Sequence, residues 1–242
     1  MRLDQGKFLV KGKPTDLLWQ TLDHIYPPFC CHCGQLGHEI CPGCLEVIEL
    51  LDQSKYCEKC GQLKHKVGNC DIVGLHFDRI HSWGLYTGSL RSIVQKLKYD
   101  RGVGLAKYLV PQLCSFISSR FTDFDAIIAL PLGKKRELSR GYNQTALFAK
   151  PLAKVLGSKY LPAAVERSRE TISQVGLSAK ERKTNILDAF KADGKIVGGL
   201  RILLMDDITT TGATINECAK SLKLAGAAKV YCFTLAKAKN LI

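Results

Sequence analysis

Two adjacent carboxylates, Asp206 and Asp207, stand at the end of the apolar run Ile202-Leu203-Leu204-Met205 and lead into Ile208-Thr209-Thr210-Thr211-Gly212-Ala213-Thr214. A loop of hydroxyl side chains before a helix N-terminus, with its unpaired N–H groups and favourable dipole end, suits a phosphate. Carboxylates beside a phosphate repel it, so the pair needs a task of its own: sugar hydroxyls or a metal. A ribose 5-phosphate uses both halves of the stretch. Thiols form the second chemical set. Cys30, Cys33, Cys41 and Cys44 make two Cys-x2-Cys pairs, the spacing of a closed tetrahedral zinc site, with Gly34 and Gly43 placed for tight knuckle turns. Cys31 is left over, because only Cys30 gives the two-residue spacer. A further set, Cys57, Cys60 and Cys70, stops at three, with Val73 where a fourth cysteine is expected. Either His65 or His76 completes it, or it binds no metal.

These groups need elements to position them. The run before the acids has the length and bulk of a strand buried on both faces, as parallel sheets require. Ile215, Cys218, Ala219, Leu222 and Ala225 repeat at helical period up to Gly226, and residues 229–235 supply another apolar strand. Strand, loop, helix and strand make a βαβ crossover, which predicts an α/β domain with a parallel sheet flanked by helices. Residues 125–131 read as a second buried strand. Its exit, residues 133–144, reads as a loop carrying Lys134, Lys135, Arg136 and Arg140, on the edge where open α/β sheets bind ligands. If that strand runs parallel to 202–205, the loop faces the same ligand; otherwise it is a solvated basic turn. Helices are expected near 90–97, 105–117 and 142–156. Lys96 and Lys98 read as the wet face of the first, with a phosphate role as the alternative. Thr15 can cap a short helix with Leu17, Leu18, Leu22 and Ile25 on one face. The stretch 167–185 is too polar for a core strand and reads as a mobile loop and helix over a ligand.

At 242 residues the chain can bury a full α/β core beside a small module. The change to aromatic and apolar residues near Ile72 divides it into 1–71, a basic arm, short helix and cysteine-rich module, and 72–242, the sheet domain. Against 22 Asp and Glu there are 35 Lys and Arg, a net charge of +13, which favours polyanionic partners, nucleic acid first. The first residues lack the apolar core of a signal peptide, and no run approaches the roughly 18 apolar residues of a membrane span. A cytoplasmic location without membrane insertion is expected, where eleven cysteines point to metal rather than disulfides.

The string DDITTTGAT at 206–214 resembles the signature of type I phosphoribosyltransferases. That resemblance implies that the paired acids take the ribose hydroxyls of phosphoribosyl pyrophosphate (PRPP), which binds with Mg2+, while the loop cradles its 5-phosphate. The cysteine pairs, the second Cys-x2-Cys-Gly, Leu97-Lys98-Tyr99, PLGKKRELSRGYNQ at 131–144 and TISQVGLSAKERKTNILDAF at 171–190 complete an ordered set. Together they resemble the ComF family, also called competence protein F, with GntX-type members: phosphoribosyltransferase-like proteins with an N-terminal zinc finger. The family implies a structural Zn2+ in a zinc-ribbon module and catalytic Asp206 and Asp207. It implies a PRPP site at Asp206, Asp207, Thr209, Thr210, Thr211, Gly212, Ala213 and Thr214, walled by Arg136, Arg140, Asn143 and Gln144. Gln174, Arg182 and Asn185 fall on its other recurrent polar string. Implied partners are single-stranded DNA, PRPP and proteins of the DNA-uptake machinery. The alternative is an active enzyme transferring ribose 5-phosphate from PRPP to a base or amine. Val73 departs from the double zinc-ribbon pattern.

Overall fold

In a computed structural model, residues 27–63, 70, 74–100, 102–168 and 186–238 are described. The short helix around Thr15, the second-site candidate His65 and the polar residues Gln174, Arg182 and Asn185 lie outside them. The apolar runs pair with one another as parallel strands. β1 (Arg79–Leu85), β2 (Ala126–Ala129), β3 (Lys159–Tyr160), β6 (Arg201–Thr209) and β7 (Lys229–Lys237) form one sheet in the order β1-β7-β6-β2-β3. Every neighbouring pair in it is parallel. β4 (Val165–Arg167) and β5 (Phe190–Ala192) make a separate antiparallel ribbon, at either end of the polar stretch.

Period-two alternation divides each central strand between two cores. Leu203 and Met205 of β6 face α2 (Gly88–Tyr99), α3 (Ala106–Arg120) and α5 (Ala146–Val155). Ile202 and Leu204 face α7 (Ala213–Leu224) and the β4–β5 ribbon. All four side chains are fully buried, the condition that makes such a strand an unbroken apolar run. Asp125 fixes the amino ends of β2 and β6: it accepts from the Arg201 backbone N–H at 2.8 Å and from the Arg201 guanidinium at 2.7 and 3.1 Å. Those bonds hold its carboxyl well below the usual range, near 2.

Two boundaries differ from expectation. The exit from β2 is not a loop: 134–140 form helix α4 (Lys134–Arg140), closed by Gly141 at φ 80°. Its Lys, Arg, Glu and Leu residues are good helix formers, and the charge pattern hid that. β6 also continues through the acids to Thr209, because β7 still pairs with it there, Asp206 opposite Thr234 and Thr209 opposite Lys237.

The cysteine segment lies along the outer edge of β1. Leu51 N–H donates to Trp83 O at 2.9 Å, Leu85 N–H to Glu49 O at 2.8 Å, and Gln53 Nε2 to Ser82 O at 2.7 Å. Gly84 permits this approach: a Cβ there would lie 2.7 Å from Leu90 Cδ2 and 3.1 Å from Glu49 O. The edge is thereby closed to strands of other chains. Ile40, Cys41, Cys44 and Ile48 join the core that contains α2 and α3.

Candidate functional site

β2 leads to β3 on one side of the sheet and β6 leads to β7 on the other, so the connections diverge between β2 and β6. Such a switch point opens a crevice at the carboxyl ends of the strands. The last β2–β6 pair is Ala129 with Met205, after which β2 turns away into α4. A cleft of about 750 Å³ occupies this place. Its lining brings together eleven of the twelve residues expected at the phosphoribosyl site: Arg136 and Arg140 from α4, then Gln144, Asp206 and Asp207 from β6, and residues 209–214. Gly212 adopts φ 80° as the residue before α7, and no side chain caps that helix. Ala213 N–H, at its first turn, donates to Thr211 Oγ1 at 3.4 Å, and the positive dipole end of α7 faces the loop, which favours an anion there.

The two acids differ in their surroundings. Asp207 is buried, and both its oxygens are engaged: Lys98 Nζ lies 3.1 Å from Oδ1, and Gln144 Nε2 donates to Oδ2 at 2.5 Å. Gln144 Oε1 in turn accepts from Arg140, whose guanidinium lies 5.7 Å from the centre of the Tyr99 ring. Lys98-Tyr99 at the end of α2, Asp207 on β6 and Arg140 on α4 are thus joined through one glutamine. Asp206 is half-buried, and its Oδ1 accepts from the Asp207 backbone N–H at 2.8 Å. Burial, and then the neighbouring Asp207 charge, raise its carboxyl to about 8, against the opposing pull of Lys98. Asn143 does not line the cleft. It pins the turn before α5, donating to Leu130 O at 2.9 Å and accepting from Thr145 N–H at 2.9 Å.

Because Asp206 ionises at higher pH folded than unfolded, the folded state holds the extra proton between about pH 4 and 8. Stability therefore falls as pH rises through that window. Asp206→Asn keeps the oxygen that accepts from Asp207 N–H and removes the charge. It is expected to leave stability at pH 5 nearly unchanged and to raise it at pH 8 by on the order of 2 kcal/mol, part of the ~1.4 kcal/mol per pK unit because the cleft admits water. Urea denaturation at both pH values checks this; a variant equally or less stable at pH 8 would contradict it.

Lys98 reaches Asp207 with its side chain only 20% exposed, so it is not the wet face of α2. Arg167, on β4, also lines the cleft, its guanidinium 5.4 Å from the centre of the Phe190 ring. The sequence offers Lys98 a phosphate role only as an alternative, supported by the Leu97-Lys98-Tyr99 string, and carries no site signal for Arg167.

Cys30, Cys33, Cys41 and Cys44 bring their sulfurs within 4.8 Å of one another. Cys33 and Cys41 sulfurs are 3.6 Å apart, close to the ~3.8 Å that tetrahedral Zn–S bonds of ~2.3 Å impose. Burial raises the Cys30 thiol, but backbone N–H groups of Cys33, Cys41 and His32 outweigh it and lower it to about 6. Four sulfurs in such a nest can hold a metal such as zinc. Cys31 stays outside the set, its thiol raised to about 11 chiefly by burial. Cys57, Cys60 and Cys70 also converge within 4.8 Å, and His76 is not among them.

The two knuckles repeat each other. Gly34 N–H donates to Cys30 O and Cys30 N–H to Gln35 O; Gly61 N–H donates to Cys57 O and Cys57 N–H to Gln62 O. Phe29 bridges Leu36 as Tyr56 bridges Leu63. The signal was visible as Cys-Gly-Gln-Leu at 33–36 and 60–63. Gly43 makes no such turn and lies inside α1 (Pro42–Glu46), whose first residues a Cys41 side chain caps. Among the described residues no helix is long and apolar enough to cross a membrane.

Fold and site together define an open parallel α/β protein with a cleft of acids, cations and hydroxyls at its switch point and a cysteine module along one sheet edge. The chain belongs to the ComF family. It is 32% identical over 209 residues to the DNA utilization protein YhgH of Salmonella typhi, covering 82% of this chain and 90% of that protein. To competence protein F of Haemophilus influenzae it is 31% identical over 224 residues, covering 86% and 96%. No family model matches the chain. Among solved structures it is similar to adenine phosphoribosyltransferase from Thermoanaerobacter pseudethanolicus, 20% identical, with a TM-score of 0.35 over 58% of this chain and 83% of that one. That likeness is loose, and the fold assignment stands on the sheet order and the cleft.

Proposed function

We propose that this protein assists the uptake of DNA, binding single-stranded DNA and, in its switch-point cleft, PRPP. The observation that carries the cleft reading is the convergence of acid pair, hydroxyl loop and α4 cations in one crevice. Residues 210–214 and the N-terminus of α7 suit the 5-phosphate. Asp206, whose second oxygen has no bond within the chain among the described residues, suits the ribose hydroxyls, and Asp207 holds the wall behind it. Arg136 and Arg140 suit the pyrophosphate, with which Mg2+ would enter to offset its charge. Residues 1–71 form the zinc-bearing module and 72–242 the phosphoribosyl domain, the first cysteine set holding a structural Zn2+. Relatives named for competence and DNA utilisation, together with the net charge of +13, support the DNA role in the cytoplasm, alongside proteins of the uptake machinery.

A second reading has a specific basis. Cations facing an acid pair across one cleft are the charges needed to stabilise a leaving pyrophosphate and a cationic ribose in the transition state, so transfer of ribose 5-phosphate to a base or amine is compatible with the same site. Calorimetric titration with PRPP and Mg2+ tests both. Binding is expected for the wild type, with a loss of at least tenfold in affinity in Asp206→Asn; equal binding by both, or by neither, would refute the assignment of the cleft. Released pyrophosphate in the presence of candidate acceptors then separates a binding protein from an enzyme.

A further inference from the structure

Tyr99 is 72% exposed at the end of α2, and two more large apolar side chains stand beside the cleft: Val103 at 51% and Leu138 at 84%. A second hollow of about 250 Å³ lies between Val103 and Leu138, and it shares Ser139, Arg140 and Tyr142 with the wall of the main cleft. Apolar surface at the mouth of a polar cleft calls for an occupant that is flat and apolar next to negative charge. α4 supplies the cations, Lys134 and Arg136 on its first turn and Arg140 on its last, and Arg140 already stacks toward the Tyr99 ring.

We infer that this shelf is where the unpaired bases of a single-stranded polynucleotide stack, with its phosphates following α4. Leu138 lies between Arg136 and Arg140 along α4, and Tyr99 lies against Arg140. Bases offer a π-face to such a shelf whatever their identity, and backbone phosphates meet the cations, the combination found in single-strand binding surfaces. A duplex keeps its bases inside and cannot use the shelf. The inference rests on the reading of the protein as a single-strand binder and adds where the strand lies: against the rim of the phosphoribosyl cleft, touching it through Arg140.

The test is fluorescence anisotropy with oligothymidylate of about 12 nucleotides and an abasic phosphodiester strand of the same length and charge. Wild-type protein is expected to prefer oligothymidylate by about tenfold or more, since each stacked base contributes to affinity. Leu138→Ser removes a solvent-exposed side chain and so leaves the fold intact. Combined with Tyr99→Ala it is expected to erase the preference while keeping affinity for the abasic strand within about threefold; Tyr99→Phe should restore most of the preference that Tyr99→Ala removes. Equal affinity of wild type for the two strands would overturn the shelf while leaving DNA binding standing. A preference that survives both substitutions would place the bases elsewhere and overturn it as well. Binding of neither strand at low salt would refute the single-strand reading and the shelf together, and leave Tyr99, Val103 and Leu138 to a protein partner.

Discussion

Asp207→Ala is expected to destabilise the protein by about 3 kcal/mol, because it leaves Lys98 facing the cleft without its partner and deprives Gln144 of its acceptor. For a chain of this size that is roughly an 8 °C fall in Tm. The informative comparison is the double variant. If Lys98→Met is added, the uncompensated charge disappears, and stability should return to within about 1 kcal/mol of the wild type. A thermodynamic cycle of the two single variants and the double variant measures this coupling. Additive losses would show that the ion pair is not what Asp207 contributes. Measured at pH 8, the two acids separate, since Asp206→Asn is expected to gain stability there and Asp207→Ala to lose it.

The second large effect concerns the first thiol cluster. Structural zinc in small modules is worth about 10–16 kcal/mol of apparent binding energy, and that energy is folding energy. Cys41→Ala, which removes one of the four sulfurs, is expected to cost one equivalent of bound metal by elemental analysis and to make the purified protein prone to aggregation, since the segment covering β1 loses its anchor. Cys31→Ala is the control: its thiol lies outside the cluster, and the variant should keep its metal and lose no more than about 1 kcal/mol. A Cys41→Ala protein with undiminished metal content and solubility would contradict the four-thiolate assignment.

Much of the fold and cleft was legible because the relevant signals are local. Ile202 to Met205 are apolar without interruption since both faces of β6 are covered, and Asp206 through Thr214 follow one another along the chain, so the cleft's floor and loop could be read in order. Cys-x2-Cys pairs are equally local. What could not be read depends on partners remote in sequence. Lys98 looks like any lysine on an amphipathic helix; only the packing of α2 against the sheet turns it toward Asp207. β6 extends past its apolar run because β7 remains beside it, and a single strand carries no record of its neighbour. The charges of α4 suggest a loop, although the helix propensity of its Lys, Arg, Glu and Leu residues is plain. Arg167 was assigned to an irregular polar stretch, yet pairing of β4 with β5 places it at the cleft wall.

The insertion of β7 between β1 and β6 also bears on how the molecule is made. Ser82 and Thr234, whose buried hydroxyls meet at 2.7 Å, are 152 residues apart. During synthesis the cysteine module and β1 leave the ribosome early, and β6 much later, yet these two strands share no edge until the last strand of the sheet slides between them. Contacts of such long range place the rate-determining closure late and make the search slow. Until β7 arrives, the nascent chain holds one side of β1 shielded by its own thiol segment and the other bare, so that segment protects only half of the strand.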